Sequence, residues 1–184
     1  IPDILFDIFK DALVHQNPPF KLGRALSSAR IANACMDISD GLAGALYSVC
    51  NTSNLGAVID ENKIPIHPLL ENHANSYGLR RIQLSLAGGD WEYLYSIPDN
   101  AMSEAKSIAT EVGYNFQIIG KTTEPGLIAI KTLEGEYRHL NRIEHDSFID
   151  GMKGKGYFEK LAQPQDCFGE PINSDIIEEL LKTY

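Results

Sequence analysis

The densest group of chemically capable residues in the sequence is Asp37-Ile38-Ser39-Asp40-Gly41. Two carboxylates and a hydroxyl fall between a short apolar run, 31–38, and a helix marked by Leu42, Ala45, Leu46 and Val49. Ionised carboxylates are hard oxygen donors of the kind Mg²⁺ prefers, with phosphate oxygens completing its shell. The free N–H groups of a helix start favour anions beside them. A plainer account competes with this one. Ser39 could be an ordinary N-cap, and Asp40 an acid set in the first turn to complement the helix dipole.

A second group is Gly88-Gly89-Asp90-Trp91-Glu92. Paired glycines let backbone approach a ligand closely. Asp90 adds an acceptor, and Trp91, the only tryptophan, adds a stacking ring. The competing account is a tight hairpin turn with Trp91 buried in the core. The basic run 151–156 lacks the GxxxxGKS/T pattern, which excludes a P-loop there. His67, His73, His139 and His145 have no nucleophile at a recognisable spacing, and no serine sits in a GxSxG elbow.

The elements that must carry these groups follow from pattern. A helical stripe covers 3–14 and stops at Asn17-Pro18-Pro19. Segments 55–59, 83–86, 93–97, 116–120, 127–132 and 137–140 read as strands. Helices are predicted near 67–76, after Pro98-Asp99, and near 174–182. Hairpin-like pairs around 116–140 favour an α+β domain, a mixed sheet with helices packed on it, over a doubly wound parallel sheet. Residues 150–173, with Pro164 and Pro171, read as a surface extension.

Composition sets the limits. The 184 residues can bury about 70% of their unfolded surface, enough for one core. Apolar content of 43% and charged content of 22% argue against disorder or coiled coil. The apolar runs are far shorter than the roughly 20 residues of a membrane span. A net charge of −9 disfavours nucleic acid as a partner. Any phosphorylated ligand then needs a divalent metal or a local cluster of donors. Cys35, Cys50 and Cys167 form no CxxC pair and read as buried thiols of a reducing, cytoplasmic protein without a signal peptide. The first residue is Ile1 rather than Met, so a fragment of a longer protein is expected.

Taken together, the motifs resemble the thiamine-monophosphate kinase family. Met36-Asp37-Ile38-Ser39-Asp40-Gly41-Leu42 is similar to its DISDGL segment. Gly88-Gly89-Asp90-Trp91-Glu92-Tyr93-Leu94-Tyr95 is similar to its GEDYELLF segment, with Gly89 in place of the acid, Trp91 for Tyr and Tyr93 for Leu. Leu55-Gly56-Ala57-Val58-Ile59-Asp60 with Ile64-Pro65-Ile66, Ile119-Gly120-Lys121-Thr122-Thr123, and Leu22-Gly23-Arg24-Ala25-Leu26 follow in register across residues 17–160.

The resemblance implies the C-terminal domain of the aminoimidazole-ribonucleotide (AIR) synthase superfamily over 1–160, with 161–184 as an extension ending in a helix. It implies a missing N-terminal domain that holds most ATP and Mg²⁺ ligands and the homodimer contacts. The site then lies in the cleft between domains, where ATP phosphorylates thiamine monophosphate to thiamine diphosphate. By the same resemblance Asp40 is the catalytic carboxylate, and Asp37 and Asp40 are the metal acids. Ser39, Gly88, Gly89, Asp90, Trp91 and Tyr157 are the substrate contacts. The alternatives are another enzyme of the superfamily, or a non-catalytic binding domain that keeps the fold.

Overall fold

The computed structural model describes residues 3–76, 78–86, 90–142 and 167–183. Its centre is a helix lying between two sheets. Helix α3 (Leu42–Ser53) has alanines and leucines on several sides, as a helix buried on two faces must. Leu42, Ala43, Leu46 and Cys50 of α3 belong to the main core.

On one side of α3 lies a two-stranded antiparallel ladder of β1 (Ala34–Asp37) and β3 (Tyr93–Ser96). On the other lies a five-stranded mixed sheet. Its strands are β2 (Gly56–Asp60), β4 (Gly120–Thr123), β5 (Ile128–Lys131), β6 (Tyr137–Leu140) and β7 (Phe168–Ile172), in the order β4-β2-β5-β6-β7. Side chains alternate across each strand. Ala57, Ile59, Ile128 and Ile130 face α3, whereas Val58 and Ala129 face the far side. There helix α7 (Ser174–Thr183) covers them, with Ile177 fully buried.

The same alternation governs β3. Leu94 packs toward α3, and Tyr95 packs outward against α2 (Phe20–Ser28) and α6 (Met102–Glu111). Leu22 and Leu26 of α2 and Ala105 and Ala109 of α6 form that outer core. The small alanines of α6 permit close approach of the two helices.

This is the α+β domain with a mixed sheet that the sequence suggests. Helix α1 (Asp3–Val14) forms as its stripe predicts, yet Phe6, Ile8 and Val14 remain exposed. Helices α4 (Pro68–Asn75), α6 and α7 also lie where expected.

Four expectations need correction. Segment 83–86 is helical, within α5 (Arg81–Leu86), because Ile82 docks fully buried in the core. The strand expected at 116–120 begins only at Gly120, as β4. The strand β3 does not turn back on 83–86 but pairs with β1. Part of the expected surface extension is β7, an edge strand, which is where a proline such as Pro171 is tolerated. Helix α2 was not foreseen. The run 151–156 and His145 lie outside the described residues.

Candidate functional site

The β1–β3 ladder joins the two motifs that the sequence keeps some fifty residues apart. Its register pairs Ala34 with Ser96, Cys35 with Tyr95, Met36 with Leu94 and Asp37 with Tyr93. One further hydrogen bond, from the Ile38 N–H to the Glu92 carbonyl at 3.0 Å, carries the pairing past the strand end. Asp37-Ser39-Asp40 and Asp90-Trp91-Glu92 therefore leave the same end of one ladder.

Ser39 does not cap α3. Its hydroxyl donates to the Asp37 carboxylate instead. The residue at the N-cap position is Gly41, with φ 96°, a conformation that favours glycine over any residue with a Cβ. Its N–H donates to the Ile38 carbonyl at 2.8 Å, closing a tight turn over Ser39 and Asp40. That turn ejects Asp40 from the helix and leaves it exposed. The plain capping account of these residues therefore fails.

Asp37 and Ser39 are half-buried, and Asp40 and Asp90 reach solvent. Neither Asp40 nor Asp90 has a hydrogen-bonding or ion-pairing partner among the described residues. The protein around Asp90 still pushes its carboxyl up from the ordinary value by desolvation. Glu92 is raised for the same reason, and then by the charge of Asp90. Two acids disfavoured as anions at one strand end are suited to a cation or a hydrogen-bond donor.

Trp91 is 49% exposed, so it is not the buried core residue of the competing account. Gly88, Gly89 and Tyr157 lie outside the described residues. Among the described residues, no group of three or more His, Cys, Asp or Glu side chains converges as a metal cage. Cys50 and Cys167 are buried as expected, whereas Cys35, on the ladder, is exposed. The sequence reading missed the aromatic row that backs this ladder. Phe20 meets Tyr93 edge-on at 6.3 Å, and Tyr93 meets Tyr95 at 6.1 Å. The alternation of Trp91, Tyr93 and Tyr95 was the signal for it.

These features define an α+β domain that presents acidic loops from one end of a short ladder. Residues 15–132 match the family of the AIR synthase related protein, C-terminal domain, and the chain belongs to that family. Its sequence is similar to the thiamine-monophosphate kinase of Buchnera aphidicola, 34% identical over 109 residues, which cover 59% of this chain and 33% of that protein. It is similar also to that of Escherichia coli K12, 30% identical over 134 residues, covering 72% of this chain and 40% of that protein. The chain thus spans well under half the length of the curated relatives it matches. Its fold is shared with the hydrogenase maturation protein HypE of E. coli, at TM-score 0.55, 17% identity, and coverage of 67% of this chain and 39% of that one. A thiamine-monophosphate kinase structure from Stenotrophomonas maltophilia K279a aligns at TM-score 0.50 and 24% identity, over 64% of this chain and 36% of that one.

Proposed function

We propose that this chain is the C-terminal part of an ATP-dependent kinase that phosphorylates thiamine monophosphate to thiamine diphosphate in the cytoplasm. One observation carries the reading: the ladder brings both acidic loops to one end, in a chain whose curated relatives bear that kinase's name. An N-terminal domain, within the length of the relatives that this chain does not span, would supply most ATP contacts and a homodimer interface. The site lies in the cleft between the domains.

The donor set fits Mg²⁺. The metal commonly takes one or two protein carboxylates and fills its remaining positions with phosphate oxygens and water. Asp40 is free to serve, with Asp37 beside it, and Asp90 stands on the neighbouring loop. Bound there, Mg²⁺ would neutralise charge on the transferring phosphoryl group.

The chain's own residues do the positioning. Asp37 holds the Ser39 hydroxyl and so fixes the loop that presents Asp40. Asp90 takes the substrate's donors, with Gly88 and Gly89, which precede it in sequence, as further contacts and Trp91 and Tyr157 as the rings proposed for the thiamine. The acceptor is already a phosphate, so no general base is assigned. The test is incubation of the full-length protein with ATP, Mg²⁺ and thiamine monophosphate. Thiamine diphosphate supports the reading; a folded, ATP-binding protein that makes none contradicts it.

A further inference from the structure

Asp90 stands between two supports. On its C-terminal side the Ile38 N–H, held on the Glu92 carbonyl at 3.0 Å, ties the segment to the β1–β3 ladder. On its N-terminal side the preceding element is α5, which ends at Leu86, four residues before Asp90. A helix of six residues has no stability of its own. Its place is set by whatever holds it.

Two arginines at its start do this. Arg81 grips Glu71 of α4 through Nε at 2.6 Å and Nη2 at 3.0 Å, and its Nη1 donates to the Ile64 carbonyl at 2.8 Å. Arg80 spreads one guanidinium over two carboxylates. Its Nε and Nη2 reach the fully buried Glu61 at 3.1 and 2.8 Å, and its Nη1 and Nη2 reach the exposed Glu134 at 3.2 and 2.8 Å. Glu61 directly follows β2 and also accepts from the Leu133 N–H, just beyond β5. The Phe168 ring of β7 lies 4.8 Å from the guanidinium. Arg80 thus fixes the start of α5 to three places on the main sheet. Ile82, two residues on, is fully buried in the core that holds Leu42 and Leu46 of α3.

A buried ion pair is a poor source of stability. Desolvation offsets most of the attraction, and neutral groups of similar size commonly do as well. What the pair supplies is direction. A planar guanidinium gripped on two edges and covered on one face has a single orientation, which a point charge or an apolar side chain lacks.

We infer that Arg80 and Glu61 are positioning residues for Asp90 and Trp91: their fork sets the place of α5, and so suspends the segment that follows between the main sheet and the ladder. The consequence for catalysis rests on the kinase reading, whereas the placement itself does not. Trp91 makes the placement measurable, because it is the only tryptophan of the chain and is half exposed.

The test separates placement from stability by acrylamide quenching of Trp91 in the folded 184-residue chain, well below its melting temperature. Arg80→Met leaves the Glu61 charge buried and unpaired and should melt far below the parent. Adding Glu61→Gln removes that charge, keeps an acceptor for the Leu133 N–H, and should recover most of the lost melting temperature. Quenching should rise in Arg80→Met and stay raised in the double variant. Arg80→Lys keeps the charge without the fork and should raise it too. Glu134→Ala leaves the Glu61 fork intact and should quench as the parent does. In the full-length protein the double variant should lose about 100-fold in kcat/KM for thiamine monophosphate, the scale of a misplacement of about 1 Å, with the KM for ATP unchanged. Parental quenching in both Arg80→Lys and the double variant overturns the inference, as does quenching that returns to the parent's value along with stability. If the double variant does not fold, Arg80→Lys decides alone. A parent that forms no thiamine diphosphate defeats the kinase reading, and the quenching series still decides the placement.

Discussion

Asp37 and Tyr93 face each other as the last register pair of the β1–β3 ladder, and both acidic loops depart from that pair. The strand end is thus the common frame of the carboxylates. The main core holds it from one side through Ile38 and Leu94, and α2 and α6 hold it from the other through Tyr95.

If Gly41 rather than Ser39 shapes the start of α3, the two residues respond differently to alanine. Gly41→Ala forces a Cβ onto φ 96° and should cost about 1–2 kcal/mol. Ser39→Ala removes only the bond to Asp37 and should cost less, about 0.5–1 kcal/mol. Urea unfolding of both variants checks the order. A larger loss for Ser39→Ala would restore it as the cap.

The buried Glu61 should be the most sensitive acid in the fold. It is fully inaccessible, and Arg80 clamps it through Nε at 3.1 Å and Nη2 at 2.8 Å, with the Leu133 N–H at 3.0 Å. Arg80 also stacks on the Phe168 ring, tying β7 to the same point. Arg80→Ala leaves a buried charge unpaired and should destabilise by about 3–5 kcal/mol in urea unfolding. Arg80 further holds the exposed Glu134 carboxyl down to about 2. That contribution exists above the ordinary glutamate value and fades as pH falls through the lowered one. The variant should therefore lose less relative to the parent in strong acid than at neutral pH.

Asp90 carries the opposite sign. Its carboxyl is raised by desolvation, so the folded state binds its proton more tightly than the unfolded chain. Stability should fall as pH rises from the ordinary aspartate value through the raised one. Asp90→Asn should melt higher than the parent at neutral pH, with the difference vanishing below the ordinary value. Thermal melts across pH check this. A lower melting temperature at neutral pH would mean that the anion is held by a favourable partner.

Arg30→Gly should stabilise the chain by about 1 kcal/mol, because the left-handed conformation at φ 55° is free for glycine. Equal stability would remove the strain from the account.

The fold was legible in part for physical reasons. Strands β2 and β5 are buried on both faces, so their short apolar runs are plain. The stripe of α6 follows from one-sided packing, whereas α3, held between the two sheets, shows its apolar residues at helical spacing on more than one side. Segment 83–86 misleads because Gln83, Leu84, Ser85 and Leu86 alternate like a strand. Their helix is set by tertiary contacts, the ion pairs of Arg80 and Arg81 and the burial of Ile82, which no local pattern records. Phe168-Gly169-Glu170-Pro171-Ile172 falls within the expected surface extension, and only its pairing at the sheet edge makes it a strand.

At the site, both acidic clusters stand out from residue type alone. Their meeting does not, because it depends on β1 pairing with a strand far along the chain.

The central claim is that Asp40 and Asp90 act on one ligand. A double-mutant cycle of Asp40→Asn and Asp90→Asn in the full-length protein, read as thiamine diphosphate formed from ATP, Mg²⁺ and thiamine monophosphate, tests it directly. Residues of one site are non-additive. The double variant should lose little more than the worse single variant, each single loss being about 100-fold or greater. Losses that multiply in the double variant, with both proteins folded, would place the two carboxylates in separate sites and contradict the account.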